Sequence, residues 1–346
     1  MLHVKKAILT GGGRATRLHP ITALTNKHLL LLANKPMIYH AIEKVVEAGV
    51  EEIFINVNPG DNSLQEFIGD GGHWGVRIKF FEQTGGPQGI AHVVNEAKHF
   101  IGSDPFMFYL SDNILLGGVK EMVDDFNKGD SDCMLALSEV PDPNRFGVPV
   151  FDDNNNLIDV LEKPDVAPNN FAVTGIYLYG PKVFFEAYDN IEKSARGEYE
   201  ISSIHSHLLK NNKKVGYKEI TGWWKDTGKP SDLLLANRLL LEQMDNKIQI
   251  SPSSIVADNV ELIEPVIIGE NCKLENCSIG PNVTIGAGSE IRNARIDNSI
   301  ILGNAIIDCP ISITDSLIGK NVNLTKEPED KKKHKMILGD KTIIEF

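Results

Sequence analysis

Long apolar runs and an excess of basic residues are both missing from this chain of 346 residues. Because no stretch of about eighteen or more apolar residues occurs, no membrane-spanning helix is expected. The amino terminus also lacks the hydrophobic region of a signal peptide, which predicts a cytoplasmic protein. The net charge of −12 at pH 7 argues against a broad nucleic-acid surface, since such a surface needs many basic side chains.

Cysteine is scarce as well. The four cysteines make no CxxC pair, and a cytoplasmic chain keeps its thiols reduced, so we expect small buried residues, not disulfides or zinc ligands. They are Cys133, Cys272, Cys277 and Cys309.

Three glycines, Gly11–Gly13, follow the short apolar run AILT near the amino terminus. A dinucleotide-binding loop beginning at the first of them would need glycine where Thr16 stands, and no Gly-Lys-Ser/Thr triplet follows to complete a Walker loop. Glycines nevertheless let backbone amides approach phosphate oxygens closely, and Arg17 and Lys27 supply positive charge downstream. The stretch therefore predicts a phosphate-binding loop of neither common type, with a simple glycine-rich turn as the alternative.

Residues 1–245 alternate short apolar runs with helical patterns. Strands are predicted over 4–10, 51–58, 76–83 and 105–112, and helices over 36–49, 89–100, near 117–128 and over 231–244. This alternation predicts an α/β, Rossmann-like domain with a mostly parallel sheet. Ligands bind at the carboxyl ends of the strands in such sheets, where Gly11–Gly13 and Asp112–Asn113 fall.

Residues 252–346 follow a different pattern, in which a small or apolar residue is followed two positions later by an aliphatic one. Twelve such pairs, five or six residues apart, run from Val260 to Leu324. This hexapeptide repeat predicts a left-handed parallel β-helix, because stacked coils bury an aliphatic column that no single short strand could bury. The predicted domains are therefore 1–245 and 252–346. A charged run at 325–335 is predicted to be a loop, and 337–346 a capping pair of strands.

Two aspartates stand where a metal ligand would be expected. Asp112 ends the apolar run FYLS, and Asp226 lies in GWWKDTGKP. A carboxylate so placed can hold Mg²⁺, which neutralises transferring phosphate. For Asp112 the alternative is an Asx turn or a helix cap. For Asp226 it is capping, by Asp226 or Thr227, of the helix that starts near Pro230. The local sequence does not decide between the metal site and these alternatives.

Two further motifs could contact a base and a sugar. Gln83 ends a strand and Gly89 opens a helix, so both could face a nucleobase, with a plain loop as the alternative. Glu162 and Lys163 end a strand-like run and could bind sugar hydroxyls and a phosphate, although a surface pair before a proline turn suits the local sequence better.

Ten motifs occur in one order along the chain: GGRATRL, NKHLLLLANKPMI, GDGGHWGV, EQTGGPQGIA, SDN, RFGV, EKP, AVTGIY, RGEYEI and WKDTG. Together, over nearly the whole length, they resemble the sugar-phosphate nucleotidyltransferases, and among these the long form of the glucose-1-phosphate thymidylyltransferases, which also carries a hexapeptide solenoid. The resemblance implies nucleotidyl transfer from a nucleoside triphosphate (dTTP favoured, UTP possible) to a sugar 1-phosphate (glucose 1-phosphate favoured). Mg²⁺ is the implied cofactor, and a homo-oligomer without nucleic-acid or membrane partners is expected.

The resemblance also implies a role for each matching residue. Gly12, Gly13, Arg17 and Lys27 would hold the triphosphate, Gln83 and Gly89 would face the base, Asp112 and Asp226 would bind Mg²⁺, and Asn113, Gly147, Glu162, Lys163 and Val173 would line the sugar-phosphate site. Arg17, Lys27 and Lys163 would be the catalytic cations. The chain departs from the family pattern at Ala15, where glycine is usual, at His28, where glutamine is usual, and at Leu31, where proline is usual.

Other functions are possible for such a chain. A UTP-glucose-1-phosphate uridylyltransferase is one alternative, because the sequence does not separate dTTP from UTP as the substrate. A bifunctional enzyme would use the solenoid as an acetyltransferase, but no histidine base lies between His207 and His334, which favours a structural solenoid. A catalytically silent sensor should have lost Asp112, Lys163 or Asp226, and all three are present.

Overall fold

The computed structural model describes residues 2–13, 15–220 and 222–325. These residues form two compact units: residues 2–13 with 38–224, and residues 15–37 with 225–325. The predicted strand pair at 337–346, and the predicted loop from residue 326 onward, lie outside the described residues. None of the helices within that description has the length and apolar character that crossing a bilayer requires.

The first unit is built on a sheet of nine strands. They are β1 (Lys6–Thr10), β2 (Glu52–Val57), β3 (Arg77–Glu82), β4 (Phe106–Tyr109), β5 (Cys133–Glu139), β6 (Gly147–Phe151), β7 (Leu157–Glu162), β8 (Phe171–Tyr179) and β9 (Val215–Glu219). The path runs β7-β6-β8-β4-β1-β2-β3, and β5 joins β8 and β9 beside it. Two short strands, Asn113–Leu115 and Trp224–Asp226, stand apart from this sheet.

The four strands predicted from sequence are parallel to one another, and β5 and β9 form a further parallel pair. β1 pairs in parallel with both β2 and β4, and β2 pairs in parallel with β3. Their order is 3-2-1-4, which agrees with the predicted Rossmann-like fold, and the order reverses between β1 and β4. The strands on the far side of β4 are mostly antiparallel, because β8 runs against β4, β5 and β6.

Helices lie between the strands. They are α1 (Met37–Glu47), α2 (Ser63–Ile68), α3 (Ile90–Glu96), α4 (Lys98–Ile101), α5 (Lys120–Asn127), α6 (Val183–Tyr188), α7 (Ile201–Lys210) and α8 (Pro230–Glu242). The helix predicted over 36–49 ends before Gly49, whose φ of 92° is the left-handed conformation that often closes a helix. The helix predicted over 89–100 is two short helices, which meet at Ala97.

The core of the first unit is apolar on both sides of the central strands. Ala7, Ile8 and Leu9 of β1 are all fully buried, as are Phe106 and Phe108 of β4. A strand covered on both faces shows a continuous apolar run instead of alternation. This explains why AILT and FMFY read so clearly as strands.

The carboxyl-terminal part of the second unit consists of three stacks of short parallel strands. The first stack holds Ile248–Ile250, Val266–Ile268, Val283–Ile285, Ile300–Ile301 and Leu317–Ile318; the second holds Ile255–Val256, Lys273–Glu275, Glu290–Arg292, Ile306–Asp308 and Asn323–Thr325; the third holds Glu261–Leu262, Ser278–Ile279, Arg295–Ile296 and Ser312–Ile313. Aliphatic residues of the repeat lie directly above one another, for example Leu274, Ile291 and Ile307. Cys272 and Cys277 are buried in this column, as expected.

Asparagines form the corners between these strands. Seven of them, from Asn271 to Asn321, have φ between 42° and 62°, a left-handed conformation that asparagine tolerates better than most residues. Their side chains also join successive coils, since Asn276 Nδ2 donates to Asn293 Oδ1 at 2.7 Å. The asparagines therefore shape the corners, while the aliphatic residues fill the centre.

Candidate active site

The glycine loop is held by two asparagines from the end of β2. The amide of Gly11 donates to Asn56 Oδ1 at 3.0 Å, and the amide of Gly13 donates to Asn58 Oδ1 at 3.0 Å. Asn58 Nδ2 in turn donates to the carbonyl of Gly13 at 3.2 Å. A Cβ at Gly12 would lie 2.9 Å from Asn56 Nδ2 and 3.1 Å from Asn58 Oδ1, so any other residue would displace the asparagine side chains that hold the loop. The sequence prediction missed both asparagines. The available signal was their position in INVNP, at the carboxyl end of a predicted strand.

Asp112 lies beside this loop, at the carboxyl end of β4. The amide of Ser111 donates to Thr10 Oγ1 at 2.9 Å, which ties the ends of β4 and β1 together. These are the two strands at which the order of the sheet reverses, and ligands of Rossmann-like sheets bind at that point. The structure thus brings Asp112 and Gly11–Gly13 to adjoining strand ends, as the sequence predicted.

Asn113 is a buried anchor. Its Oδ1 accepts from Trp224 Nε1 at 2.9 Å and from the amide of Gly175 at 3.2 Å, and its Nδ2 donates to Asp112 Oδ1 at 3.0 Å. With 3% of its surface exposed, Asn113 orients the carboxylate of Asp112. The Tyr109 hydroxyl donates to the backbone carbonyl of Asn113 at 2.9 Å, and burial, with the nearby Asp112, raises the pKa of Tyr109 well above its usual value.

Three of the predicted sugar-phosphate residues meet on neighbouring strands. Gly147 of β6 pairs with Glu162 of β7 on one side and with Val173 of β8 on the other. A Cβ at Gly147 would lie 3.7 Å from Val173 Cβ and 3.9 Å from Glu162 Oε2. A Cβ there would also lie 3.4 Å from Val160 Cγ1, so the glycine backbone is in close contact with apolar groups and with the carboxylate of Glu162.

Lys163 follows directly and carries positive charge to the same place. Its Nζ lies 3.1 Å from Glu162 Oε1. Its backbone adopts φ of 45°, which is unusual for lysine, and its amide donates to the carbonyl of Phe146 at 3.0 Å. Backbone strain of this kind tends to cluster at functional sites.

The motif RGEYEI supplies a network around Glu162 that the sequence prediction left without roles. Arg196 Nη2 donates to Glu162 Oε1 at 3.4 Å and to Glu200 Oε1 at 2.8 Å. Ser202 Oγ donates to Glu162 Oε2 at 3.0 Å. Both oxygens of Glu162 therefore have donors, and Arg196 adds a second cation beside Lys163.

The predicted base-facing residues lie on the loop after β3. Gln83 Nε2 donates to the carbonyl of Gly86 at 3.4 Å. Gly89 has φ of 97°, and a Cβ there would lie 2.5 Å from the carbonyl oxygen of Tyr199. Gly89 is therefore required by its close approach to the backbone that precedes α7.

Arg17 and the WKDTG motif come together within the second unit. Arg17 lies in the 3₁₀ turn Thr16–Leu18, and a Cβ at Gly228 would lie 2.9 Å from its Nη2 atom. The guanidinium of Arg17 therefore packs against Gly228, which lies two residues after Asp226 in the sequence. Lys27 begins a second 3₁₀ turn, Lys27–Leu29, in the same unit.

The capping alternative for this motif does not hold, because Lys229 is the residue that precedes α8 and no side chain caps it. Thr227 is fully buried and its hydroxyl donates to Met37 Sδ at 3.5 Å. Lys225 and Asp232 form an ion pair at 3.2 Å. Asp226 is therefore not needed to begin the helix.

The predicted metal ligands suit an ion whose coordination is completed by waters and substrate phosphates. Within the part of the chain that the structure describes, no group of three or more His, Cys, Asp or Glu side chains could hold a metal ion. Mg²⁺ is usually bound by one or two carboxylates, with waters and substrate phosphates completing its shell. Asp112, oriented by Asn113, fits that mode of binding.

Comparisons with known proteins agree with this chemistry. The chain matches the nucleotidyl transferase family over residues 6–243 and the GMPPB C-terminal domain over residues 262–345. It is 37% identical to the low-salt glycan biosynthesis nucleotidyltransferase Agl11 of Haloferax volcanii, over 92% of this chain and 93% of that one. It is 33% identical to a glucose-1-phosphate thymidylyltransferase of Streptomyces antibioticus, over 99% of both chains.

A solved structure is similar as well. The crystal structure of a putative glucose-1-phosphate thymidylyltransferase from Bacillus anthracis, in complex with a sucrose, has a TM-score of 0.64 and 36% sequence identity. The match covers 70% of this chain and 96% of that one.

Proposed function

The chain belongs to the nucleotidyl transferase family, and from this we propose that it transfers the thymidylyl group of dTTP to glucose 1-phosphate. It is a sugar-1-phosphate nucleotidyltransferase, whose products are a nucleoside diphosphate sugar and pyrophosphate. The choice of base and sugar is supported by the thymidylyltransferase relative that matches over 99% of both chains. The observation that carries the proposal is the meeting of Gly11–Gly13 and Asp112 at the adjoining ends of β1 and β4.

The reaction needs no nucleophile from the protein. An oxygen of the sugar 1-phosphate attacks the α-phosphorus of the triphosphate in line, a new P–O bond forms, and the bond to pyrophosphate breaks. The attacking phosphate carries a charge of about −1.5 to −2 at neutral pH and approaches another anion. Catalysis therefore depends on holding the two substrates in line and on offsetting their charges.

For the triphosphate, we propose that the amides around Gly12 and Gly13 and the side chains of Arg17 and Lys27 bind phosphate oxygens. Amide groups in a glycine loop and cationic side chains act together on such an anion. Gln83 and Gly89 are proposed to face the base. Gly89 supports this role through the backbone, because its close approach to Tyr199 fixes the path of the loop that carries Gln83.

For the sugar phosphate, we propose that the hexose lies against the backbone of Gly147, between strands β7 and β8. Val173 would contact the ring, and Glu162 would accept hydrogen bonds from its hydroxyls. Lys163 would hold the phosphate. Asn113, which the resemblance assigns to this site, is buried and would act through Asp112, to which its Nδ2 donates. The carboxylate of Glu162 is already oriented by Ser202, which supports its role as a fixed acceptor.

Asp112 and Asp226 are each proposed as ligands of Mg²⁺. The ion would neutralise phosphate charge when bound. Asn113 contributes by donating to one oxygen of Asp112, which helps to orient the carboxylate.

We further propose that residues 1–245 are the nucleotidyltransferase domain and that residues 252–346 form a left-handed β-helix, as the stacked parallel strands support. The β-helix is proposed to serve structure and self-association, because its repeat contributes aliphatic and asparagine side chains and no histidine base.

The test is pyrophosphate release across a matrix of nucleoside triphosphates and sugar 1-phosphates, with Mg²⁺. The highest kcat/KM is expected for dTTP with glucose 1-phosphate. A preference for UTP would make the protein a uridylyltransferase, and no release with any pair would contradict the proposal. Arg17→Ala should lower turnover by about 10³-fold or more, as the loss of one well-placed arginine does in related phosphoryl transfer.

A further inference from the structure

The second unit joins parts of the chain that lie far apart in sequence. It contains residues 15–37, which carry Arg17 and Lys27, together with α8 and the stacked strands of the solenoid. The contacts inside this unit show how the loop bearing the two cations is held.

Asn237 of α8 lies at the centre of these contacts. Its Oδ1 accepts from the amide of Ala33 at 2.8 Å and from Thr284 Oγ1 at 2.8 Å. Asn237 is 1% exposed, and Thr284, in the middle of the solenoid strand Val283–Ile285, is fully buried. One buried oxygen therefore joins the helix, the loop and the solenoid.

Ala33 belongs to a hairpin next to Lys27. Leu31 pairs with Pro36 and Leu32 with Lys35. Ala33 and Asn34 make the turn with φ of 48° and 60°, which is the geometry of a tight two-residue hairpin.

The hairpin is tied in turn to the Lys27 turn. The amide of Met37 donates to the carbonyl of Leu30 at 2.9 Å, and the amide of Leu30 donates to the carbonyl of Lys27 at 3.0 Å. Short backbone hydrogen bonds thus connect Lys27 with the hairpin that Asn237 holds.

Two further points of approach connect the same loop with the solenoid. A Cβ at Gly269 would lie 3.0 Å from Asn34 Nδ2, so the tip of the hairpin lies against that coil. A Cβ at Gly319 would lie 3.4 Å from Ile21 Cδ1. Ile21 stands between Arg17 and Lys27 in sequence, so the loop meets the solenoid on both sides of Lys27.

We propose that Asn237 and Thr284 are positioning residues, and that the solenoid sets the rate of nucleotidyl transfer by holding the loop that carries Arg17 and Lys27. The inference rests on the proposed function, which places both cations on the triphosphate. Cations that stabilise a transition state must be held closely, since a displacement of about 1 Å can cost about 10²-fold in rate. The solenoid thereby gains a role in the reaction, besides any part in self-association.

The test compares three variants of the full-length protein in the pyrophosphate assay. Thr284→Val removes the hydroxyl at nearly constant shape, and Thr284→Ser retains it. Thr314→Val is the control, because the exposed Thr314 donates through Oγ1 to Asp297 at 2.6 Å, within the solenoid itself. For each variant kcat, both KM values and the melting temperature are measured.

Thr284→Val is expected to lower kcat about 10-fold to 10²-fold. KM for glucose 1-phosphate should stay unchanged, because its proposed contacts belong to the first unit. Thr284→Ser and Thr314→Val should keep the wild-type kcat. If Thr284 had only a structural role, Thr284→Val would lower the melting temperature but would not lower kcat at an unchanged KM for glucose 1-phosphate.

A second variant covers the case in which Thr284→Val does not fold. Ile21→Ala removes the contact near Gly319 and leaves Asn237 intact, and it should lower kcat about 10-fold. Wild-type kcat in the folded variants, or an equal loss in Thr314→Val, would overturn the inference. Failure of the proposed function would look different, because the wild-type protein would then release no pyrophosphate.

Discussion

Gly228→Ala is the sharpest test of how the second unit holds Arg17. A methyl group at Gly228 would lie 2.9 Å from Arg17 Nη2 and 3.0 Å from Cζ and Nη1. Non-bonded atoms prefer separations of about 3.5–4.0 Å, so the guanidinium must move by about 0.5–1 Å. The backbone need not move, because the far end of a flexible side chain can yield.

The expected result is a fall in kcat of about 10-fold to 10²-fold, from the sensitivity of catalysis to a displacement of about 1 Å. The melting temperature should change little. Gly118→Ala is the matched control, since the nearest atom to its new methyl would be the amide nitrogen of Lys120 at 4.0 Å. The assay is pyrophosphate release at saturating dTTP and glucose 1-phosphate.

A double variant decides whether the effect passes through Arg17. If it does, Gly228→Ala should cost nothing further in a protein that already carries Arg17→Ala, because interacting sites are not additive. A kcat for Gly228→Ala within twofold of that for Gly118→Ala would refute the reasoning. Additive losses in the double variant would refute it as well.

Three other predictions concern the first unit. Asn113→Leu should lower the free energy of unfolding by about 2–6 kcal/mol in urea denaturation, since it leaves the buried Trp224 Nε1 and the Gly175 amide without their acceptor, at about 1–3 kcal/mol each; a smaller loss would contradict this role of the Asn113 amide. Asn58→Ala should raise KM for dTTP with little change in KM for glucose 1-phosphate, because it frees the glycine loop, and equal changes in both would contradict this. Burial lowers the pKa of His205 from 6.5 to about 3; the unfolded chain therefore binds a proton that the folded chain does not, and stability should fall by about 2 kcal/mol between pH 7 and pH 5. His205→Phe should remove that part of the pH dependence in thermal melts, and an unchanged slope would contradict the assignment.

The candidate site was predictable from sequence where function depends on the type of residue at a strand end. Gly11–Gly13 and Asp112 lie at the carboxyl ends of parallel strands, as predicted, because the end of a buried parallel strand is marked in the sequence by a change from apolar to polar or glycine residues. Arg196 was not assigned a role, because nothing in RGEYEI indicates that its guanidinium reaches Glu162, 34 positions earlier.

Local sequence by itself determined many of the secondary-structure elements of this protein. The period of apolar residues predicted strands β1 to β4 and the helices α1, α5 and α8, and the hexapeptide repeat predicted the stacked strands of the second unit, since each pattern reflects which face of a short segment is buried. Strands β5, β6 and β9 and helices α2, α6 and α7 were not predicted. Tertiary structure alone decided the strand order 3-2-1-4, the hold of Asn56 and Asn58 on the glycine loop, and the meeting of Ala33 and Thr284 at Asn237. These depend on hydrogen bonds between residues dozens to hundreds of positions apart, and no local periodicity records which distant polar side chain will be the partner.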